Sequence, residues 1–246
     1  MHHHPLLIGH RGASGTAPEN TLGSFQEAIK DKADVIEMDV HITKDKKVVV
    51  IHDATINRTS NGKGFVHLKT LHYLKKFNYG FGKQKEDIPT LEEALECVSN
   101  HCKVIVEFKL SCRRHEKLVL NIIENFKYKE NVWIHTAHRS IIKKVRKLNP
   151  HIRIGHILLF TFIQQFLLPL DASFGKKYNV SFYSIEDMFI EKYFIGEFIQ
   201  KIKAKGKDVY VWTINDLNSA RMAIQWGVDG IITNYPGVLK QKLHWK

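Results

Sequence analysis

Acidic and basic side chains occur at short, repeated spacings in the first half of this sequence. Glu37 and Asp39 are two residues apart in one apolar segment, and Glu107 and Lys109 are two residues apart at the end of another. Side chains two apart in a strand point to the same face. Charged groups in an apolar strand are costly unless they are paired or bound to a metal. The spacing therefore indicates a polar site rather than a core.

Three of these side chains are carboxylates, Glu37, Asp39 and Glu107. Carboxylates that converge repel one another, and a hard divalent cation would remove that repulsion. An all-oxygen set of ligands suits Mg²⁺ or Ca²⁺ better than Zn²⁺. The choice between Ca²⁺ and Mg²⁺ depends on the coordination number as well as on the ligands. Simple ion pairs, Glu37 with Lys109 or Asp39 with Arg11, are the alternative interpretation.

Two histidines follow apolar runs in the same way. His10 and Arg11 end the first run, and His52 and Asp53 end a later one. An imidazole with a pKa near neutrality can accept one proton and donate another, so acid–base catalysis is one role for the pair. Metal ligation fits the two histidines equally well. Arg11 and Lys109 add positive charge where a phosphate would lie.

The elements that would position these side chains are short apolar runs alternating with helical patterns. We predict strands at 6–10, 35–40, 47–52, 104–108, 132–136, 152–158, 180–185, 209–214 and 230–233. We predict helices at 19–30, 90–99, 115–126, 139–148, 160–178 with a break at Pro169, 191–203, 217–226 and 236–243. Thr21 or Asn20 would cap the first helix, and Thr90 with Glu93 forms a capping-box pattern at the second.

The alternation of strands and helices favours a parallel sheet. It gives eight βα units if 47–52 extends the second strand, and 246 residues is close to the ~250 of one (β/α)₈ barrel. We therefore predict an α/β fold, a single (β/α)₈ TIM barrel over 1–246, with its site at the carboxyl ends of the strands. Residues 53–89 would form a small insertion with a short helix near 68–77. A doubly wound sheet is the alternative, but no Gly-x-Gly-x-x-Gly follows a predicted strand.

Short motifs along the chain resemble those of one enzyme family. They are His10-Arg11-Gly12, Glu19-Asn20-Thr21, Glu37-x-Asp39-Val40, His52-Asp53, Pro-Thr-Leu-Glu-Glu at 89–93, Glu107-Phe108-Lys109, and the segments 211–216 and 228–236. In this order they resemble the glycerophosphodiester phosphodiesterase family. The resemblance runs from His10 to Pro236, while 130–190 follows only the βα alternation.

The resemblance implies a TIM-type barrel with an insertion after the second strand. It implies a metal-dependent hydrolase that converts a glycerophosphodiester into sn-glycerol 3-phosphate and an alcohol. The single divalent cation, Ca²⁺ or Mg²⁺, would be held by Glu37, Asp39 and Glu107. The order in which the histidines act stays open, as does the choice between direct hydrolysis and a cyclic phosphate intermediate.

The resemblance also implies roles for the remaining side chains. His10 and His52 would be the acid–base pair, and Arg11 and Lys109 would hold the phosphate. Trp212 would form a wall of the glycerol pocket. Asn20 would hold the first loop near the metal.

An apolar stretch at 157–168 supports a second interpretation, a barrel phosphodiesterase of the phospholipase or lysophospholipase D type acting on intact or lyso-phospholipid. This stretch would make a peripheral membrane contact, helped by the net charge of +12. Its burial as a strand followed by the inner face of a helix is the other interpretation. The sequence makes no prediction of headgroup preference or oligomeric state.

Composition and charge narrow the classes of partner. The net charge of +12 fits phosphate substrates, anionic lipid surfaces or nucleic acid. No recognition helix, zinc knuckle or aromatic RNA-binding motif occurs, so a nucleic-acid partner is not predicted. Three cysteines make no disulfide framework, the first residues lack a secretory signal, and no apolar run could span a membrane. We therefore expect a cytoplasmic protein.

Overall fold

The computed structural model describes residues 4–81, 85–98, 100–158, 168–186 and 195–245. The strands in these ranges are β1 (Leu6–Gly9), β2 (Val35–Ile42), β3 (Val48–Val50), β4 (Lys103–Phe108), β5 (Val132–Thr136), β6 (Ile154–Leu158), β7 (Phe182–Glu186), β8 (Asp208–Trp212) and β9 (Gly230–Thr233). All except β3 pair in parallel, and β1 pairs with both β2 and β9, which closes the sheet into a barrel. The predicted TIM barrel is confirmed.

The described helices follow the strands as predicted. They are α1 (Leu22–Lys30), α2 (Leu71–Leu74), α3 (Leu91–Val98), α4 (Glu116–Asn125), α5 (Arg139–Leu148), α6 (Leu168–Lys177), α7 (Ile195–Lys203), α8 (Leu217–Gln225) and α9 (Pro236–Lys242). Residues 159–167 and 187–194, and with them most of the apolar stretch and the predicted starts of two helices, lie outside the described residues. Among the described helices, none is long and apolar enough to cross a membrane.

Strand β3 does not extend β2, so that prediction is wrong. It runs antiparallel to β2, with Val40 opposite Val50 and Ile42 opposite Val48. The chain reverses between them because the amide of Thr43 donates to the carbonyl of Lys47 at 2.9 Å and Lys46 adopts a left-handed φ of 60°. The hairpin brings the chain back to the carboxyl end of β2.

The start of α1 holds the loop that follows β1. Thr21 caps the helix by accepting a hydrogen bond from the amide of Ser24 at 3.2 Å, and the hydroxyl of Ser24 donates to the carbonyl of Arg11 at 2.9 Å. Gly12 has a φ of 85°, and a Cβ there would clash with Ser24. Helix and loop therefore pack closely enough to fix the backbone of Arg11.

The capping box predicted at the start of α3 is also present. The Thr90 hydroxyl accepts from the amide of Glu93 at 3.2 Å, and the Glu93 carboxylate accepts from the amide of Thr90 at 2.8 Å. These two bonds satisfy helix amides that would otherwise lack partners. They fix the point at which the chain leaves the insertion and rejoins the barrel.

The core has two layers, one inside the barrel and one between the strands and the helices. The inner layer is a single apolar cluster made of Ile8, Val35, Ile105, Trp133, Phe182, Tyr210 and Ile232. A Cβ on Gly155 would clash with the Phe182 ring, so only glycine fits there. Above this layer, towards the carboxyl ends of the strands, the inward side chains become polar.

The insertion has a small core of its own. Its buried side chains are Val49, Ile51, Ile56, Val66, Leu74, Tyr79 and Ile88. The short helix predicted near 68–77 appears as α2, preceded by a single turn of 3₁₀ helix at Val66–Leu68. The insertion thus packs as a satellite beside β3 and the carboxyl end of β2.

Candidate active site

One cavity of about 300 Å³ opens at the carboxyl ends of the strands. Its lining includes seven predicted site residues, namely His10, Arg11, Glu37, His52, Glu107, Lys109 and Trp212. The sequence analysis missed the others, which are His135, Ala137, His138, Ile157 and Ile232. Two larger cavities, of about 720 and 770 Å³, have no carboxylate among their described lining residues. The predicted acidic, basic and histidine side chains are therefore concentrated in the cavity of about 300 Å³.

The three predicted metal-binding carboxylates converge beside this cavity. Glu37 and Asp39 lie on β2, and Asp39 is directly opposite Glu107 on β4. One oxygen from each of the three lies within 4.8 Å of the others. Oε2 of Glu37 accepts a hydrogen bond from the amide of Arg11 at 3.0 Å, whereas its buried Oε1 has no partner among the described residues. The cluster can therefore accept a cation.

The three carboxyl groups have shifted pKa values because they share one buried site. Burial and the neighbouring Asp39 and Glu107 raise the pKa of Glu37 well above its usual range. Burial raises the pKa of Glu107 to about 7 although Lys109 opposes the change. Burial also acts to raise the pKa of Asp39, but Lys109 and Arg11 outweigh it and lower that pKa. The positive charge already present therefore stabilises mainly one of the three carboxylates.

Two cationic side chains, Lys109 and Arg11, contact the carboxylates at the cavity. Nζ of Lys109 lies 2.8 Å from Asp39 and 2.5 Å from Glu107. Nε of Arg11 lies 3.3 Å from Asp39, and its Nη1 lies 2.8 Å from Glu19. Of the alternative ion pairs, Asp39–Arg11 is present, whereas Lys109 pairs with Asp39 and Glu107 rather than with Glu37. Both cations also line the cavity, where they can meet an anionic ligand.

Each of the two predicted catalytic histidines has one ring nitrogen fixed by an oxygen. Nδ1 of His10 lies 2.7 Å from Oδ1 of Asn234, and Nδ1 of His52 lies 2.7 Å from Oδ1 of Asp53. We assign the proton to Nδ1 in both rings because an oxygen acceptor faces it, which leaves Nε2 for proton transfer. Burial and the charge of Arg11 lower the pKa of His10 to about 4. Burial also lowers the pKa of His52, against the effect of Asp53.

Asn20 holds the first loop against the carboxylates. Its Nδ2 donates to Asp39 at 2.8 Å, and its Oδ1 accepts from the amide of Asp39 at 3.2 Å. Asn20 is buried and adopts a left-handed φ of 58°. Asparagine tolerates this conformation better than most residues, and its side chain satisfies both partners.

Arg58 joins the insertion to the first loop, and the sequence analysis missed it. Its guanidinium donates to Asp53 at 2.8 and 3.0 Å and to Glu19 at 2.7 and 2.8 Å. Asp53 in turn holds His52. The arginine thus links the support of one histidine to the carboxylate that also pairs with Arg11.

Trp212 and His135 are further polar side chains on the walls of the cavity. Trp212 ends β8, and its buried Nε1 has no hydrogen-bond partner among the described residues. His135 lies on β5 opposite Glu107. The only signal for His135 was a single histidine near the end of an apolar strand, a pattern that a core residue also gives.

Comparisons with known proteins identify the family of this chain. The sequence profile of the glycerophosphoryl diester phosphodiesterase family matches residues 10–238. A glycerophosphodiester phosphodiesterase from Caldanaerobacter subterraneus subsp. tengcongensis is 33% identical over 242 residues, covering 95% of this chain and 96% of that protein. A human lysophospholipase D is 28% identical over 278 residues, covering 96% of this chain and 85% of that protein.

A solved structure agrees in fold. The Oleispira antarctica phosphodiesterase in complex with the product sn-glycerol-3-phosphate has a TM-score of 0.84 and 26% identity, covering 98% of this chain and 97% of that one. The family resemblance of the sequence motifs is thereby confirmed. This chain belongs to the glycerophosphoryl diester phosphodiesterase family of enzymes.

Proposed function

We propose that this protein hydrolyses glycerophosphodiesters to sn-glycerol 3-phosphate and an alcohol, with one Ca²⁺ or Mg²⁺ ion. The observation that supports this best is the convergence of a three-carboxylate cluster and two oriented histidines on one cavity. The product bound to the Oleispira antarctica relative supports the assignment of the substrate.

The residues present fit a divalent cation. Glu37, Asp39 and Glu107 would hold it, since they offer only oxygen atoms and Oε1 of Glu37 has no described partner. A bound divalent cation would stabilise the negative charge that develops on a phosphate oxygen. Lys109, which pairs with Asp39 and Glu107, would then be freer to turn towards the phosphate.

The protein's own groups would hold the phosphate and move the protons. Arg11 and Lys109 would neutralise the phosphate oxygens. Nε2 of His10 would accept the proton of the nucleophile, which is water or the adjacent glycerol hydroxyl, as its oxygen bonds to phosphorus. Attack by the glycerol hydroxyl would give a cyclic phosphate, which water would then open to sn-glycerol 3-phosphate. His52 would protonate the oxygen of the leaving alcohol as its bond to phosphorus breaks. We assign this role to His52 because the carboxylate of Asp53 stabilises a protonated imidazole better than a neutral amide does.

The direct test is release of sn-glycerol 3-phosphate from glycerophosphocholine. We expect release to stop in EDTA and to return on addition of Ca²⁺ or Mg²⁺, and the ion that restores it identifies the cofactor. Release that continues unchanged in EDTA would contradict the role of the cation. Absence of release with either ion would contradict the substrate.

Lysophospholipid is a second candidate substrate, favoured by apolar side chains exposed near the site. Phe65, Leu68 and Leu110 are 49%, 59% and 57% exposed. Leu110 borders a cavity of about 770 Å³ that is also lined by Lys44, Lys46, Arg113 and Arg114, and by His41, which bonds to the backbone of His52. Apolar side chains ringed by positive charge suit an anionic membrane surface. The human lysophospholipase D relative also supports lysophospholipid as a candidate substrate.

Paired substrates separate the two candidates. If lysolipid is the substrate, kcat/KM for lysophosphatidylcholine exceeds that for glycerophosphocholine, and Leu68→Ser with Leu110→Ser lowers only the former. Leu148→Ser is the matched control, because Leu148 is exposed at the end of α5, at the opposite end of the barrel. Equal loss on both substrates would contradict a membrane contact.

A further inference from the structure

His135 points into the barrel at the floor of the active-site cavity. It lies on β5, opposite Glu107 of β4 on one side and Gly155 of β6 on the other. Its ring centroid is 5.4 Å from that of Phe182, which belongs to the inner apolar layer. The imidazole therefore sits at the boundary between the apolar interior and the polar cavity that it lines.

The ring of His135 is buried, and its nitrogens have no hydrogen-bond partner among the described residues. The residue is 3% exposed. A neutral imidazole offers one N–H donor and one acceptor. By contrast, His10 and His52 each have a fixed partner. Buried polar groups in native proteins are nearly always satisfied, so a partner for His135 is expected to come from the cavity.

The cation is not the expected partner. The group of potential ligands whose atoms all lie within 4.8 Å of one another contains Glu37, Asp39 and Glu107 and does not include His135. The phosphate has Arg11 and Lys109 in the same cavity. The remaining part of the substrate that needs polar partners at this depth is the glycerol, since the leaving alcohol must reach the open mouth.

On the basis of the proposed function, we propose that His135 binds the glycerol moiety of the substrate by donating its ring N–H to the terminal hydroxyl of the glycerol, the one that ethylene glycol lacks. This makes His135 a specificity-determining residue that distinguishes glycerol phosphodiesters from phosphodiesters of alcohols lacking that hydroxyl. Nε1 of Trp212, also buried and without a described partner on the same cavity, is positioned to assist.

The test removes the proposed hydrogen bond in two ways, by changing the donor on the protein or the hydroxyl on the substrate. His135→Leu removes the donor, and His135→Gln keeps an N–H of similar reach. On the substrate side, glycerophosphocholine is compared with the analogue in which ethylene glycol replaces glycerol. We expect His135→Leu to raise KM for glycerophosphocholine about 10–100-fold with a smaller change in kcat, and His135→Gln to recover most of the loss. For the ethylene glycol analogue, the wild type and His135→Leu should have equal KM values.

His156→Leu is the matched control, because His156 is equally buried on the next strand but packs against Phe174 and Tyr183, on the outer side of the barrel. We expect it to lower the melting temperature and leave KM unchanged. If His135→Leu does not fold, His135→Ala replaces it.

Calorimetry of sn-glycerol 3-phosphate binding gives a readout that needs no turnover. We expect at least tenfold weaker binding by His135→Leu than by the wild type. Equal binding by both, or equal losses on the two substrates, would overturn the role of His135. Binding without hydrolysis by the wild type would defeat the proposed function alone, and the role of His135 would still be decided by the binding comparison. A wild type that does not bind sn-glycerol 3-phosphate would overturn both.

Discussion

Nε2 of His41 donates a hydrogen bond to the carbonyl oxygen of His52 at 2.9 Å. Its Nδ1 accepts from the hydroxyl of Ser111 at 2.9 Å. Burial lowers the pKa of His41, which keeps the ring neutral and able to make both bonds at once. This imidazole therefore joins the loop after β4 to the segment from which His52 projects.

His41→Leu should lower kcat about tenfold with little change in KM, because His52 loses the anchor of its backbone. His41→Gln should restore much of the rate, since its amide can donate to the same carbonyl. The measurement is steady-state kinetics across a pH series. A rate loss of the same size in the leucine and glutamine variants would show that His41 acts only through packing.

Removal of either proposed catalytic imidazole should nearly abolish turnover. We expect His10→Ala and His52→Ala each to lower kcat by about 10²–10⁴-fold, the usual contribution of acid–base groups. His151→Ala, at an exposed histidine between α5 and β6, is the control and should retain full activity. Near-normal kcat in either site variant would remove that histidine from the chemistry.

Cation binding should depend on the carboxylate cluster. We expect calorimetry to detect one tightly bound Ca²⁺ or Mg²⁺ ion in the wild type and none in Glu37→Gln, because the substitution removes a charged ligand from the group of three. Glu92→Gln on the exposed face of α3 should bind as the wild type does. Unchanged stoichiometry and affinity in Glu37→Gln would place the ion elsewhere.

Asp53 should set the pH at which His52 stops donating a proton. A general acid works below its pKa, and loss of the Asp53 carboxylate would lower the pKa of His52. Asp53→Asn should therefore move the alkaline limb of the kcat profile down by about one pH unit. An unmoved alkaline limb combined with a shifted acidic limb would assign His52 the role of base.

The Arg58 bridge predicts how stability changes in acid. Burial acts to raise the pKa of Glu19, but hydrogen bonds from Arg58 and charge from Arg11 outweigh it and lower that pKa; hydrogen bonds from Arg58 also lower the pKa of Asp53. A carboxylate whose pKa is lower in the folded state stabilises the fold above its unfolded pKa and loses that effect as the pH falls through the folded pKa.

The melting temperature of the wild type should therefore hold near neutrality and fall below about pH 4.5, near the ordinary pKa of glutamate. Arg58→Ala should lower it by about 2–4 °C at pH 7 and flatten its dependence on acid, since Arg58 is half exposed and partly screened. Arg221→Ala, on the exposed face of α8, is the control. Parallel melting curves for Arg58→Ala and the wild type from pH 7 to 3 would refute this account.

The parts of the site that sequence could predict depend on local pattern. Glu37 and Asp39 alternate with apolar residues within one strand, and the spacing alone places both on one face. Glu107 follows the same rule on β4. The capping box of α3 is equally local, and the structure has it where the sequence predicted it.

The parts that sequence missed depend on contacts between distant residues. Arg58 meets Glu19 across 39 positions, and His10 meets Asn234 across 224. The direction of β3 depends on one tight turn around Lys46, and an apolar run has the same pattern in either direction. His135 is a single ionisable residue in a mostly apolar strand, a pattern shared by histidines that contact a substrate and histidines that pack in a core.

The side chains that would themselves handle the cation, the phosphate and the protons all precede Leu110 in the chain, whereas His135, His138, Ile157 and Trp212, on and after β5, line the rest of the cavity. On the proposed function, the first half of the barrel would carry the reaction and the second half would recognise the substrate, and the two meet along one cavity. Substrate range can change through drift or redesign in the second half while the reaction itself is left intact. Exchanging the segment from β5 to β8 between relatives would then be expected to transfer preference for the glycerol moiety without transferring the catalytic apparatus.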